Sequence, residues 1–201
     1  MLCGGITGFH PLVQHKVGPK SKVGVIGLGG LGHYAVMGAK ALGAKEIVVI
    51  SRTSTKKEDA MKMGATDFIA TNEDKDWADK NAGRLDVIVS TVSSHELPIQ
   101  GYLNLLGLRG TYVHVGAPED AIPGFNMFSL IGKRASIQGS QTGAPRDIND
   151  MLKLFAEKGV RTWNNNVPMD DANKAIVDMD NGKARYRYVL CNEKHIKEVK
   201  Y

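Results

Sequence analysis

The chain has 201 residues, 42% hydrophobic and 23% charged, an ordinary composition for a globular protein large enough for one substantial core. Its net charge is +5, but basic residues cluster only at Lys56-Lys57 and in the C-terminal end (Lys183, Arg185, Arg187, Lys194, Lys197 and Lys200), which does not by itself indicate nucleic-acid binding. No apolar run is long enough to cross a bilayer, no signal-peptide pattern opens the chain, and its two cysteines are far apart, so we expect no membrane contact and a cytosolic location.

Short apolar strands alternate with helices through most of the chain. The predicted strands are KVGVI (22–26), EIVVIS (46–51), TDFIA (66–70), LDVIVS (85–90), GTYVHVG (110–116) and RASIQGS (134–140). The predicted helices are 31–43, 56–64, 77–83, 96–107, 127–133 and 148–159, with Gly43 and Gly64 placed to end the first two. Such spacing favours right-handed βαβ units and therefore an α/β fold with a doubly wound parallel sheet.

The pattern changes after the last of these helices. A strand in TWNNNVPM (162–169), a helix in 170–182 and a strand in YRYVLC (186–191) predict a C-terminal strand-helix-strand extension. We expect one domain over 1–158, with 1–20 as a lead-in segment, and a separate C-terminal segment over 159–201.

A glycine-rich turn follows the first predicted strand. In VIGLGGLG, three glycines have GxGxxG spacing directly between a strand and a helix, which is the context that this motif requires. Gly27 allows a tight turn, Gly29 lets the backbone approach a pyrophosphate, and Gly32 permits close packing of helix on strand. The motif predicts a Rossmann-type dinucleotide-binding domain; the alternative is an ordinary glycine-rich turn.

The residues after the second strand indicate which dinucleotide is bound. An NAD site usually has Asp or Glu here, whereas this chain has Ser51 and Arg52, then Lys56, and no acid before Glu58. Two cations and a hydroxyl suit a 2′-phosphate, which a carboxylate would repel. We therefore predict NADP(H); a solvated basic loop is the alternative.

Several stretches together resemble the cinnamyl alcohol dehydrogenase class of the zinc-dependent medium-chain dehydrogenases. These are MLCGGITGFHPL, KVGVIGLGGLGHYAVMGAKALGA, ISRTSTKKEDAMKMGATDFIAT, VHVGAP and ARYRYVL, in order along nearly the whole chain. The resemblance implies NADPH-dependent reduction of aldehydes to alcohols, with a catalytic zinc polarising the carbonyl oxygen.

The same resemblance implies a set of cofactor-binding residues. They are Gly27, Gly29, Gly30, Leu31 and Gly32 for the pyrophosphate; Ser51, Arg52 and Lys56 for the 2′-phosphate; Thr91 and Val92 for the adenosine and ribose; and Thr7, Val115, Gly116, Ala117, Gly139, Ser140 and Gln141 around the nicotinamide.

Cys3 matches the last of the family's catalytic zinc ligands. The other ligands, the structural-zinc cysteines and the proton relay belong to an N-terminal catalytic domain that these 201 residues do not contain. One protein ligand does not hold zinc, so no complete catalytic site is expected and Cys3 is interpreted as a partly buried thiol. His10 is a poor second ligand by spacing, and His33, His95 and His114 are interpreted as ordinary helix or strand residues.

The extension fits the same resemblance, because in this family the chain returns at that point to the catalytic domain. Trp163, Val167, Ile176, Val189 and Leu190 are then expected to have apolar faces or strand edges to cover. The chain could be a truncated product, a fragment or one half of an assembly, and its substrate is not visible in the sequence.

Three functions stay open. The first is the cofactor-binding part of an NADPH-dependent alcohol dehydrogenase. The intact enzyme would act on an aldehyde or alcohol, and this part alone would be inactive. The second is a non-catalytic NADP(H)-binding or dimerisation module that forms a homodimer or pairs with an intact paralogue through its outer strand. The third, a minor alternative, is nucleic-acid binding through the basic surface, which steep salt dependence would reveal. A zinc-free quinone reductase relative is disfavoured by the CGGIT stretch around Cys3.

Overall fold

A computed structural model of the chain describes residues 1–192. The end of the expected 159–201 segment, including Lys194, Lys197 and Lys200, lies outside the described residues. The chain divides into two compact units, Met1–Val160 and Arg161–Tyr201. Within residues 1–192, no helix is both long and apolar enough to cross a membrane.

The first unit is a six-stranded parallel sheet flanked by helices. Its strands are β1 (Lys22–Ile26), β2 (Glu46–Ser51), β3 (Asp67–Ala70), β4 (Leu85–Ser90), β5 (Leu106–His114) and β6 (Ser136–Gly139). Its helices are α1 (Gly4–Gln14), α2 (Gly32–Ala41), α3 (Lys57–Met63), α4 (Trp77–Lys80), α5 (Ile99–Asn104), α6 (Phe128–Ile131) and α7 (Pro145–Glu157), with a 3-10 turn at Ser54–Lys56. The strand order is β3-β2-β1-β4-β5-β6, which confirms the predicted doubly wound sheet.

The strand sequences follow from their burial. The central strands β1, β2 and β4 are apolar with little alternation, because helices cover both faces of the sheet. Since right-handed crossovers run outward from β1 in one direction and from β4 in the other, α2 and α3 lie on one face and α5 and α6 on the opposite face. The connection from β3 to β4 therefore changes direction, and this change creates the crevice in which the site is found.

Helix α1 lies within residues 1–20, for which the sequence predicts only a lead-in segment and no helix. Its glycines and Pro11 have poor helix propensity, so the local sequence does not indicate a helix. Tertiary packing explains it: a Cβ on Gly8 would lie 2.7 Å from the Leu31 carbonyl oxygen, and one on Gly38 would lie 2.8 Å from the Phe9 ring. Small residues let α1 and α2 approach closely, and the rings of Phe9 and Phe155 meet edge to face at 5.4 Å.

The boundary predicted between α5 and β5 is wrong. The helix predicted over 96–107 ends at Asn104, and β5 begins at Leu106, four residues before the predicted strand. The apolar run YLNLLGL does not distinguish helix from strand by periodicity. Pairing decides it, because Leu106 lies beside Leu85 of β4 and is fully buried.

Charged side chains join three strands at the amino edge of the sheet. Arg84, just before β4, binds Glu46 of β2 and donates to Asp67 of β3 at 2.6 Å. Burial raises the pKa of Asp67, but the hydrogen bonds from Arg84 and from the Phe68 amide, together with the nearby positive charges, outweigh burial and leave that pKa below its usual value. This cluster fixes the end of the sheet opposite the candidate site.

The second unit confirms the predicted strand-helix-strand extension. It contains β7 (Asn164–Pro168), a 3-10 turn (Met169–Asp171), α8 (Ala172–Asp180) and β8 (Arg187–Cys191), and β7 pairs in parallel with β8. Of the apolar residues expected to need cover, Ile176 is 57% exposed, Val189 44% and Leu190 36%. Trp163 and Val167 are half-buried, and the Trp163 ring lies 6.2 Å from that of Tyr186.

Candidate functional site

A cavity of about 400 Å³ opens at the carboxyl edge of the sheet, where β1, β2 and β4 end. In the observed strand order, β1 and β4 are neighbours whose connections leave in opposite directions. Such a switch point is where open α/β sheets bind ligands, and the volume is suited to a small molecule or part of a cofactor.

The glycine-rich turn forms one wall of this cavity. Gly27 has φ +85°, the left-handed conformation that its tight turn requires. A Cβ on Gly32 would overlap the Gly27 carbonyl oxygen, so α2 can approach β1 only with glycine at this position. A Cβ on Gly29 would meet no atom within 4 Å, so the chain around Gly29 leaves space for a ligand beside the N-terminus of α2.

Thr91 holds the turn from the neighbouring strand. It follows β4, and its hydroxyl lies 3.0 Å from the carbonyl oxygens of both Ile26 and Gly27. The next residue packs on the same turn, since a Cβ on Gly27 would lie 2.6 Å from Val92 Cγ2. Thr91 and Val92 therefore shape the turn in addition to lining the cavity.

The basic residues after β2 face the same cavity. Ser51, Arg52 and Lys56 all line it, and the Lys56 ammonium donates to the Leu28 carbonyl oxygen at 2.8 Å. The glycine-rich turn and the two cations, which separate stretches of sequence assign to a dinucleotide, thus line one cavity. Among the described residues that line the cavity, Glu96 is the one carboxylate, and no sequence motif indicates it.

Other residues that line the cavity are not indicated by any motif in the sequence. They are Thr71 and Asn72 after β3, and Ser94, Glu96, Leu97, Pro98 and Tyr102 between β4 and the end of α5. The Thr71 and Asn72 amides donate to the Ser51 and Arg52 carbonyl oxygens, each at 2.9 Å, which joins the loops after β3 and β2. The order of neighbouring strands was the signal that could have found Thr71 and Asn72, because parallel strands end at the same edge.

The residues implied for the nicotinamide that follow β5 and β6 lie at the same edge of the sheet, and none of the residues implied for the nicotinamide lines this cavity. A Cβ on Gly116 would overlap the Val92 carbonyl oxygen, and the Ala117 amide donates to Ser93 Oγ at 3.1 Å. Ser140, beyond β6, donates its amide to the His114 carbonyl oxygen at 3.0 Å. The remaining implied residues outside the cavity lining are Thr7, Gly30, Leu31, Gly32, Val115, Gly139 and Gln141.

Burial shifts the pKa values of two tyrosines and one histidine near the site in the direction that favours their neutral forms. It raises the pKa of Tyr102 and of Tyr112 to about 12. Burial also lowers the pKa of His114, whose Nδ1 lies 3.1 Å from the Tyr112 hydroxyl oxygen. Besides Tyr102, the ionisable side chains that line the cavity are Arg52, Lys56 and Glu96.

Cys3 is exposed, which corrects the expectation of a partly buried thiol. It occupies the N-cap position of α1, where only its backbone is engaged: the Cys3 carbonyl oxygen accepts from the Thr7 amide and hydroxyl, each at 3.0 Å. His10 lies 3.8 Å from the Asp147 carboxylate. In residues 1–192, no three His, Cys, Asp or Glu side chains could hold a metal together, so these residues do not fit a zinc site.

Of the three other histidines, for which an ordinary position in a helix or strand is expected, two lie in such an element and one does not. His33 lies in α2 and His114 in β5, as predicted. His95 is in the loop between β4 and α5, neither helix nor strand, and lies 3.8 Å from Asp120.

The fold and this site define a Rossmann-type nucleotide-binding domain. Residues 30–157 match the model of the zinc-binding dehydrogenase family, and the chain belongs to that family. This finding confirms the resemblance seen in the sequence.

Named relatives share most of this chain. It is 41% identical over 190 residues to a probable formaldehyde dehydrogenase of Bacillus subtilis, and 39% identical over 196 residues to an NADP-dependent alcohol dehydrogenase of Saccharomyces cerevisiae. Each match covers 94% of this chain and 53% of the relative, so the chain spans about half the length of the curated relatives it matches.

Two solved structures of alcohol dehydrogenases also match most of this chain. A cinnamyl alcohol dehydrogenase from Sorghum bicolor matches with a TM-score of 0.86 and 35% identity, over 94% of this chain and 53% of that one. The CAD from Helicobacter pylori, solved with NADP(H), matches with a TM-score of 0.81 and 33% identity over the same shares.

Proposed function

We propose that the chain binds NADP(H) in the switch-point cavity, with the 2′-phosphate held by Ser51, Arg52 and Lys56. The observation that carries this proposal is the convergence of the glycine-rich turn with two cations in one cavity. No carboxylate follows β2 there to accept the ribose hydroxyls of NAD. Relatives named as NADP-dependent alcohol dehydrogenases support the same choice.

We further propose that the chain is the cofactor-binding part of an enzyme that reduces aldehydes to alcohols. Bound NADPH would supply the hydride. This chain's own residues would bind and orient the cofactor: the glycine-rich turn receives the pyrophosphate, and the edge formed by Val115–Ala117, Gly139–Gln141 and Thr7 faces the nicotinamide. Residues 1–158 would form this cofactor domain and 159–201 the return to a catalytic domain.

The described residues offer no Lewis acid for the carbonyl oxygen, because Cys3 has no partner ligands among them. Hence we propose that the chain does not turn over by itself. Zinc would be retained only if ligands came from outside these residues. Both cysteines are free thiols, which fits the cytosolic location proposed for the chain.

A fluorescence titration tests cofactor binding, and a turnover assay on the same sample tests inactivity. The purified chain should bind NADPH at least tenfold more tightly than NADH, since charge-assisted bonds to the 2′-phosphate are absent with NADH. With cinnamaldehyde and added zinc, it should not consume NADPH. Turnover that a chelator abolishes would refute the proposed inactivity, and binding of neither nucleotide would refute the proposed site.

A second candidate function, pairing with another copy, is favoured by the outer strand. β6 ends the sheet order and all four of its residues are exposed. Met127, Phe128 and Ile131, shortly before β6 in the chain, are 57%, 70% and 64% exposed, and within residues 1–192 no strand pairs with the outer edge of β6. A homodimer, or pairing with an intact paralogue, would cover both; light scattering of the purified chain that shows only monomer at tens of micromolar would exclude the homodimer.

A further inference from the structure

The 3-10 turn Ser54–Lys56, which carries Lys56 to the cavity, receives its cap from another loop. The residue before the turn, Thr53, provides no side-chain cap, because its hydroxyl lies 3.0 Å from that of Thr55. Instead the Ser54 amide donates to Glu73 Oε1 at 2.8 Å. Glu73 is three residues beyond the end of β3, so an acid distant in sequence satisfies the first free amide of the turn.

This contact continues a line of bonds between the two loops. The Thr71 and Asn72 amides bind the Ser51 and Arg52 carbonyl oxygens, and the Glu73 side chain binds the next part of the same loop. At its far end the turn is held by the bond from Lys56 to the Leu28 carbonyl oxygen. Glu73 is thus the side chain that attaches the cation-bearing turn to the loop after β3.

We propose that Glu73 is a positioning residue for selectivity toward NADPH: its carboxylate holds the Ser54–Lys56 turn so that Arg52 and Lys56 are preorganised for the 2′-phosphate. This inference rests on the proposed NADP(H) site. Two effects of Glu73 oppose each other, because its negative charge repels the phosphate while its hydrogen bond orders the loop. The side chain is exposed, so water and salt screen its charge, whereas the effect of the bond on geometry is not screened.

Three variants separate these effects, with NADPH and NADH dissociation constants measured by fluorescence for each. Glu73→Ala removes both bond and charge, and Glu73→Gln keeps an acceptor oxygen without charge. Glu58→Ala is the matched control, because it removes an exposed acid of the neighbouring helix α3 that is bonded to Lys62 and not to Ser54. Thermal unfolding checks that all three are folded.

Glu73→Ala should weaken NADPH binding about threefold to tenfold and leave NADH within about twofold, from the loss of one ordering hydrogen bond. Glu73→Gln and Glu58→Ala should keep NADPH binding at least as tight as in the unaltered chain. Equal or tighter NADPH binding by Glu73→Ala would overturn the inference, as would equal losses for both nucleotides or no rescue by glutamine. If the unaltered chain binds neither nucleotide, the proposed function fails with it; if it prefers NADPH and Glu73→Ala changes nothing, only this inference fails.

Discussion

Two alanine substitutions in the glycine-rich turn should separate folding from cofactor binding. At Gly32 the new methyl group would overlap the Gly27 carbonyl oxygen, and backbone cannot move aside as a flexible side chain can. Overpacking of this kind costs about 3 kcal/mol of unfolding free energy. For a chain of this length, that loss lowers the melting temperature by roughly 6–12 °C.

At Gly29 the same methyl group meets no atom within 4 Å, and φ is not positive, so alanine fits the folded chain. The melting temperature of Gly29→Ala should stay within roughly 4 °C, because the expected change in unfolding free energy is about 1 kcal/mol or less. The methyl group would nevertheless stand between the backbone amides and the pyrophosphate. Loss of charge-assisted hydrogen bonds should weaken NADPH binding about 10- to 100-fold.

Differential scanning fluorimetry and NADPH fluorescence titration measure the two effects on the same preparations. Gly32→Ala should mainly lower stability, and Gly29→Ala should mainly lower affinity. Unchanged NADPH affinity in Gly29→Ala would show that the pyrophosphate does not lie at this turn. An unchanged melting temperature in Gly32→Ala would refute the close packing of α2 on β1.

Three further predictions concern Thr91, Arg52 and His114. Thr91→Val should lower the unfolding free energy by about 1–2 kcal/mol in urea, since the Ile26 and Gly27 carbonyl oxygens lose a donor, whereas Thr91→Ser should keep most of it. Arg52→Ala should weaken NADPH binding about tenfold in calorimetry and leave NADH nearly unchanged, because in the proposed site its charge would face the 2′-phosphate. His114→Gln should reduce the loss of stability that acidification causes. Burial lowers the pKa of His114 in the folded chain below 6.5, so on acidification the unfolded chain binds the proton first. The free energy of unfolding therefore declines as the pH falls through 6.5.

Each of these predictions has a matched control. Thr91→Ser that is as unstable as Thr91→Val would mean that the hydroxyl is not the stabilising group. Lys57→Ala removes a neighbouring exposed cation that does not line the cavity; if it weakens NADPH binding as much as Arg52→Ala does, the effect is general charge and not contact. Urea titrations at pH 7.5 and 5.5 that lose the same stability with and without His114 would contradict its burial as the cause.

Runs of apolar residues predict most of the fold, because such runs are clearest in strands that are buried on both faces. Strands β1, β2 and β4 are apolar runs covered on both faces, and Gly43 and Gly64, both with positive φ, follow α2 and α3 as stop signals should. Helix α1 could not be predicted this way, because Gly8 is explained by its close contact with the start of α2 and by no local preference. The predicted boundary between α5 and β5 is wrong for the same reason, since the pairing of Leu106 with Leu85 decides where β5 begins.

The candidate site was predictable where one stretch of sequence builds it. The glycine-rich turn and the cations after β2 are such stretches, and both line the cavity. Asn72 and Glu96 were missed because their part in the site depends on which strands are neighbours. The hydrogen bond from Ser54 to Glu73 joins residues 19 apart, and no spacing rule indicates it.

Phosphorus NMR of NADP⁺ bound to the purified chain tests the central claim most directly, because the 2′-phosphate has its own resonance. A phosphate monoester ordinarily takes up its second proton near pH 6. If the 2′-phosphate lies between Arg52 and Lys56, binding should shift its resonance and lower that pKa, since both cations favour the dianion. A bound nucleotide whose 2′-phosphate titrates as it does free in solution, or no binding at millimolar concentration, would contradict the assignment of this cavity to NADP(H).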